Sequence, residues 1–267
     1  MAPPVDFPVA RSRAARLVAL ESATSTNDVL AAGAAAQPSD WPHLSVVATL
    51  AQTAGRGRLG RSWIAPPGRT LAVSVLLRPS ARMPADSVGW VPLAAGAAMA
   101  AVLGARLPAG AVAFKWPNDV LVGVDERKLC GILAERQPDG AIVLGAGVNL
   151  TLTEEELPVP TATSLALAGA TDVDPDTLLA AWLEELRVLV DPLLAGDIAP
   201  AARAVRASCG TLGRPVRVEL PGEETVVGEA TGLDDTGRLL VRAGEPGAAE
   251  SGPVRAVAAG DVTHLRY

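Results

Sequence analysis

Residues 52–63 read QTAGRGRLGRSW, and the fold class turns on how this stretch is taken. Gly55, Gly57 and Gly60 spell G-x-G-x-x-G, the fingerprint of a doubly wound dinucleotide-binding sheet. That fingerprint needs a strand before it, a helix after it and an acid about 20 residues on. Residues 45–52 read as the strand. The helix is absent: Ser62-Trp63-Ile64-Ala65 runs into Pro66-Pro67-Gly68 and a further strand, and no acid follows until Asp86. The stretch is therefore a loop between strands. Its three glycines let the backbone turn sharply and approach a ligand closely.

Working outward, residues 70–77 alternate, with Leu71, Val73, Val75 and Leu77 on one face of a strand. Residues 112–115, 119–122, 128–135 and 141–149 read as short strands separated by turn residues at 123–127 and 138–140. Tight turns between consecutive strands predict a mixed, largely antiparallel sheet and an α+β fold. Helical patterns cover 24–36, 86–107, 175–194 and 199–207, with Trp182 on the core face of the third. Residues 154–156, all glutamate, read as a solvated loop. From about residue 210 the pattern changes to strands at 214–220, 225–233, 238–241 and 254–258, with a hairpin turn at Asp234-Asp235-Thr236-Gly237. The expected organisation is a flexible arm at 1–16, a large domain at 17–209 and a small all-β domain at 210–267. A β domain of that size is near the lower limit for independent stability and is expected to pack on its neighbour.

Charge narrows the ligand. The chain carries a formal net charge of −6, yet Gly55 to Arg69 holds Arg56, Arg58, Arg61 and Arg69 with no acid. A local cationic loop on an acidic protein points to a small anionic ligand; nucleic acid would call for a broad basic face. Guanidinium groups grip carboxylate and phosphate oxygens through paired hydrogen bonds. In Lys115-Trp116-Pro117-Asn118-Asp119, Pro117 ends a strand and leaves Lys115 to project into a cleft as a point charge. Asn118, Asp119 and Asn149 are strand-end polar groups suited to phosphate or metal contacts. Gln52 offers both a donor and an acceptor. Trp63 is a costly residue for an idle loop and can wall a ligand. Gly131 leaves room beside a chain or marks a bulge. Lys128 reads as a solvated turn residue.

Other chemistry is excluded or unsupported. Cys130 and Cys209 are far apart with no C-x-x-C, so no disulfide framework or zinc site follows, and a reducing cytoplasm is expected. His43 and His264 have no ligand partners at metal spacing and read as ordinary surface or core residues. No signal peptide is evident at the N-terminus. The uncharged run 87–104 is alanine-rich and reads as a core helix rather than a membrane span. No Ser/His/Asp or Cys/His arrangement supplies a nucleophile.

The motifs Gln52-Thr53-Ala54-Gly55-Arg56-Gly57-Arg58, Lys115-Trp116-Pro117-Asn118-Asp119, Lys128-Leu129-Cys130-Gly131-Ile132-Leu133 and Gly145-Ala146-Gly147-Val148-Asn149 occur in that order, after Ser25-Thr26-Asn27. In this the chain resembles the biotin–protein ligases. The resemblance implies a ligase-type catalytic domain with an SH3-like C-terminal barrel. Because its first motif begins at Ser25, it implies the enzyme-only form without a DNA-binding repressor domain. It further implies that biotin is activated by ATP and Mg²⁺ to biotinyl-5′-AMP. The biotinyl group is then passed to a lysine of a biotin carboxyl carrier protein of the acetyl-CoA carboxylase type. Lys115, Arg56 and Arg58 would be the catalytic cations. Biotin would lie among Ser25, Thr26, Asn27, Gln52, Gly55, Arg56, Gly57, Arg58, Trp63, Lys115 and Gly131, with the Ser25-Thr26-Asn27 helix start facing its ureido ring. ATP would meet Arg56, Arg58, Lys115, Asn118, Asn149 and, near the terminus, Arg266. Mg²⁺ would be held through the phosphates, with Asp119 as the one direct protein candidate. The expected protein is cytoplasmic, monomeric or homodimeric, and binds neither nucleic acid nor membrane. The competing expectations are a lipoate– or octanoate–protein ligase and a non-catalytic nucleotide- or anion-binding regulator.

Overall fold

A computed structural model describes residues 6–63, 65–108, 111–171, 173–220, 224–244 and 252–265. The larger domain runs α1 (Pro8–Arg11), β1 (Arg16–Leu20), α2 (Thr26–Ala36), β2 (Ser45–Thr49), β3 (Gly55–Arg56), β4 (Ser62–Trp63), β5 (Thr70–Leu77), α3 (Trp90–Gly104), β6 (Val112–Lys115), β7 (Asp119–Val122), β8 (Arg127–Arg136), β9 (Ile142–Asn149), α4 (Pro175–Leu194) and α5 (Ala199–Ser208). Seven strands form one sheet in the order β1-β2-β5-β9-β8-β7-β6. The β1–β2 pair is parallel, because α2 carries the chain back across the sheet; the other pairs are antiparallel. The largely antiparallel sheet and the α+β class are as the sequence predicts.

The interior strand β5 is buried at every position, not only on the alternating face. Leu71, Val73, Val75 and Leu77 enter the main core with α3 and α4. Leu76 enters a second, smaller core with Leu30, Ala34 and Trp41 under α2. Ser74, on that second face, makes polar contacts to the start of α2. Both faces of the sheet are thus covered, and the α2 face carries the polar groups of the site described below.

By length and composition alone residues 85–104 could cross a membrane. In the structure α3 is buried nearly throughout, against α4 and α5. The Trp182 indole on α4 is fully buried and donates to the Ala95 carbonyl at 3.2 Å.

The structure corrects the expected flexible arm from residue 6 onward; residues 1–5 lie outside the described residues. Phe7 and Ala10 are fully buried, and Asp176 accepts the backbone N–H groups of Val9 and Ala10 at 2.9 and 2.8 Å. The segment is therefore docked on α4 by an apolar anchor and a carboxylate. It also leads into β1, an edge strand that the arginine-rich sequence concealed.

The C-terminal domain adds β10 (Pro215–Glu219), β11 (Thr225–Leu233), β12 (Leu239–Ala243), β13 (Val254–Val257) and β14 (Asp261–His264) in the order β13-β12-β11-β10-β14. In a flat sheet the outer strands β13 and β14 would lie about 19 Å apart, four strand spacings. The four steps from Val257 to Asp261 span at most about 14 Å. The sheet must therefore curl, giving the small barrel-like domain. Its Asp234–Gly237 turn docks on the larger domain: Trp90 Nε1 donates to the Asp235 carbonyl at 2.8 Å, and Trp116 Nε1 to the Gly237 carbonyl at 3.1 Å.

Candidate active site

The loop 52–63 folds back as a two-stranded ribbon, with Gly55 opposite Trp63 and Arg56 opposite Ser62. Gly60, at φ +74°, makes its turn. Gly55 is required by space, since a Cβ there would collide with the Gln52 amide and the Trp63 carbonyl. Gly57 is not: its backbone is extended (φ −106°) and a Cβ would make ordinary contact. The ribbon lays the Trp63 indole across Gly131 and Gly147, which are directly opposed on β8 and β9. A Cβ on Gly147 would lie only 2.5 Å from the indole, so the ring rests on bare backbone. Ribbon, sheet, the start of α2 and β14 enclose a cavity of about 660 Å³.

One end of this cavity is neutral and closely hydrogen-bonded. Ser25 is the N-cap of α2, its Oγ accepting from Asp28 N at 3.4 Å. Gln52 Oε1 accepts from Thr26 N at 2.9 Å. Asn27 Oδ1 accepts from Ser74 Oγ at 2.6 Å and sits where a side chain on Gly145 would have to be. Ser25, Thr26 and Asn27 are all buried. Capping, the plain reading of these residues, and the lining of a cavity are both realised.

The other end is cationic. Lys115 ends β6, as Pro117 requires, and burial pushes its ammonium below the usual lysine range, partly offset by Asp119. Burial likewise lowers the Arg58 guanidinium, against the opposing pull of Asp261 and Asp119. Arg58 donates to Asn118 Oδ1 at 3.2 Å and the Gly260 carbonyl at 3.4 Å. Neither side chain makes an ion pair among the described residues. The remaining loop arginines are engaged. Arg56 pairs with Asp28 at 2.5 Å and Glu135 at 3.0 Å, which holds its guanidinium above the usual range. Arg61 pairs with Asp261, and Arg69 with Glu156 at 3.2 Å.

A third wall comes from residues 153–163. Their glutamate run is not merely solvated: Thr153 and Glu156 form a capping box, and Arg127 grips Glu154 with both terminal nitrogens at 2.8 and 2.7 Å. Arg127 Nε also donates to the Ala162 carbonyl at 2.8 Å, and Asn149 Nδ2 to the Thr163 carbonyl at 2.8 Å. Asn149 thus lines the cavity while spending its amide on this strap.

Of the residues expected at the site, the structure brings Ser25, Thr26, Asn27, Gln52, Arg56, Gly57, Arg58, Trp63, Lys115, Asn118, Asp119, Gly131 and Asn149 to one cavity. Gly55 stands behind the lining as a ribbon residue. Arg266 lies outside the described residues. Asp119 Oδ1 is 2.6 Å from Lys128 Nζ, a close ion pair without good hydrogen-bond alignment. Lys128 is accordingly no free turn residue; it lies 5.5 Å over the Trp63 ring at the cavity wall. It was missed because a bulge in the β7–β8 ladder, between Val120–Cys130 and Leu121–Lys128, re-aims it. His264 is also more than a generic residue. Its buried ring bridges the Glu126 carboxylate and Thr211 Oγ1, each at 3.1 Å, and Thr211 in turn accepts from Trp116 N at 3.1 Å. Burial of Cys130 raises its thiol well above the usual range, consistent with an inert packing residue. Among the described residues no group of three or more His, Cys, Asp or Glu side chains is placed to hold a metal ion.

Comparison with known proteins agrees with this architecture. Residues 19–151 match the model of the biotin/lipoate A/B protein ligase family, and residues 211–265 match that of the biotin protein ligase C terminal domain. The chain is 38% identical over 224 residues to the biotin–[acetyl-CoA-carboxylase] ligase of Mycobacterium tuberculosis, covering 80% of this chain and 77% of the relative. It is 32% identical over 207 residues to the enzyme of the same name from Paracoccus denitrificans, covering 72% and 81%. The biotin protein ligase of Aquifex aeolicus, solved with biotin and ATP, superposes with a TM-score of 0.73 over 95% of this chain and 100% of that one; at 24% identity it attests the fold. With a relative 38% identical over most of both chains, and two ligase domain matches in the expected order, the chain belongs to the biotin/lipoate A/B protein ligase family.

Proposed function

We propose that this protein is an ATP-dependent biotin–protein ligase that forms biotinyl-5′-AMP and transfers the biotinyl group to a lysine of a biotin carboxyl carrier protein. The observation that carries the reading is the pairing, within one cavity, of a buried neutral hydrogen-bonding end with two desolvated cations that make no ion pair among the described residues. A cyclic urea is neutral and polar and matches Ser25, Thr26, Asn27 and Gln52. A carboxylate and a triphosphate are anions and match Arg58 and Lys115.

In the first step a carboxylate oxygen attacks the α-phosphorus of ATP, the P–O bond to pyrophosphate breaks, and a mixed anhydride forms. Two anions must be brought together, so the protein's task is to offset their repulsion and align the atoms. Lys115 and Arg58 would serve as the cations for this, and their partial burial would strengthen the effect. Arg56 must leave Asp28 and Glu135, or share itself with them, to reach the ligand. Mg²⁺ would be held mainly through the ATP phosphates, where it would offset their charge; Asp119, the one candidate protein contact, is paired with Lys128 and would have to be shared. In the second step a neutral lysine amine attacks the anhydride carbonyl, AMP leaves and an amide forms. No protein nucleophile is required. The ribbon carrying Trp63 would shield the anhydride from water between the steps.

Intact-mass analysis of an isolated carrier domain, incubated with the protein, ATP, Mg²⁺ and biotin, tests the proposal. A gain of one biotinyl group, absent without ATP, is expected. Modification by lipoate or octanoate instead would keep the fold and change the substrate. An unmodified carrier would overturn the proposal.

A further inference from the structure

Glu135, near the end of β8, joins the two parts of the site through a closed circuit of side chains. Arg56 Nη2 donates to its Oε1 at 3.0 Å, and Asn27 Nδ2 to its Oε2 at 2.5 Å. Asn27 Oδ1 meets Ser74 Oγ at 2.6 Å, Ser74 Oγ meets Thr26 Oγ1 at 2.8 Å, and Thr26 N donates to Gln52 Oε1 at 2.9 Å. Gln52 and Arg56 belong to the same loop, so the circuit starts and ends on it.

The protons in this circuit can be assigned by elimination. A carboxylate paired with a guanidinium only accepts, so Asn27 must turn its Nδ2 to Glu135 and its Oδ1 to Ser74. Amide oxygen also only accepts, so the single Ser74 hydroxyl proton goes to Asn27. Thr26 Oγ1 lies 2.8 Å from Ser74 Oγ and 3.2 Å from Gln52 Oε1. Because Ser74 has no second proton to give, the shorter contact takes the Thr26 hydroxyl proton, which leaves the Thr26 oxygen with a free lone pair. Gln52, held at its oxygen by a backbone N–H, keeps its Nε2 as a donor. The Ser25 oxygen accepts from Asp28 N, so its own proton is free to donate. The end therefore offers acceptors at Thr26 and Asn27 and donors at Ser25 and Gln52. A cyclic urea supplies two N–H donors and one carbonyl acceptor, the complement of this set.

We infer that Glu135 is a positioning and specificity-determining residue: it fixes the direction of the Thr26–Ser74–Asn27 hydrogen bonds so that this end of the cavity accepts the N–H groups of a cyclic urea. The inference rests on the biotin reading above and adds to it a residue that does not touch the ligand. A glutamine at 135 keeps the shape but can donate to Asn27 Oδ1. The Asn27 amide then has reason to flip, presenting N–H where the ligand also presents N–H.

The test is ATP–pyrophosphate exchange with wild type, Glu135→Gln, Ser74→Ala and Asp28→Asn, with KM measured separately for biotin and ATP. Glu135→Gln should raise KM for biotin about tenfold or more, as expected when a buried hydrogen-bonding set is mispaired, and leave KM for ATP within about twofold. Ser74→Ala breaks the same relay without touching Arg56 and should give the same biotin-selective rise. Asp28→Asn removes the other Arg56 partner and spares the relay, so its KM for biotin should stay near wild type. An unchanged KM for biotin in Glu135→Gln and Ser74→Ala, or an equal rise in Asp28→Asn, would overturn the inference. Wild type that exchanges with ATP only in the presence of another acid would overturn the biotin reading and this inference with it.

Discussion

The two ends of the cavity are built on opposite physical terms. At the neutral end the oxygens of Thr26, Asn27, Gln52 and Ser74 each have a defined partner, and the groups are held by the start of α2 and the floor of the sheet. At the cationic end Lys115 and Arg58 are partly buried and make no ion pair among the described residues. The first end is preorganised and stabilises the fold whether or not a ligand is present. At the second, burial disfavours the charged forms of both side chains, a cost that Asp119 and Asp261 offset in part and that an anion would offset further. The loop arginines divide along the same line: Arg56, Arg61 and Arg69 rest on acids, and Arg58 faces the cavity. A ligand polar at one end and anionic at the other would complete both.

Lys115→Ala separates the ends most sharply. It should lower biotin-dependent pyrophosphate exchange by about a thousandfold, the scale of losing a preorganised electrostatic group, with biotin affinity retained. Collapse of biotin affinity as well would break the comparison. The same residue sets the alkaline limit. Because burial lowers its pKa, the ammonium is lost at a lower pH than for an ordinary lysine, so exchange should fall early as pH rises. For stability the sign is reversed: the unfolded chain holds this proton longer, so the fold gains stability as pH rises through the interval between the two pKa values. Lys115→Met should accordingly melt higher at neutral pH, by about 2–4 °C for each 1 kcal/mol released.

Gly147→Ala attacks the glycine floor. The new methyl would displace the Trp63 indole and should raise KM for biotin about tenfold, with KM for ATP little changed, since small overpacking of a tight contact costs about 1–3 kcal/mol. Arg56→Gly frees Asp28 and Glu135 and loosens the ribbon. It should accelerate release of the adenylate in single-turnover experiments severalfold, and unchanged retention would remove the ribbon's protective role. The smallest effect is expected from Arg127→Gln, which unlatches the 153–163 wall: about a threefold rise in KM for ATP, in keeping with the modest worth of an exposed ion pair.

Much of this was legible in the sequence where local chemistry decides. Turn residues bracket β6, β7 and β11 so closely that 112–115, 119–122 and 225–233 read with the bounds the structure has. Pro117 alone places Lys115 at a strand end. Other features were not legible, for physical reasons. A ribbon of two residues per strand has no period to detect. β1 is short and begins with an arginine. The fate of the loop arginines depends on Asp28, Glu135, Glu156 and Asp261, whose positions follow from tertiary packing rather than spacing. Lys128 turns inward through a bulge, which leaves no local mark. Buried Phe7 and Asp176, far apart in the chain, tie down a segment that composition marked as loose.

The most direct measurement is ATP–pyrophosphate exchange by the purified protein with Mg²⁺, run in parallel with biotin, lipoate and octanoate, and with Lys115→Ala as control. The account predicts exchange that requires biotin and is lost in the variant. Exchange with lipoate or octanoate in place of biotin, or none from folded protein that still binds ATP, would contradict it.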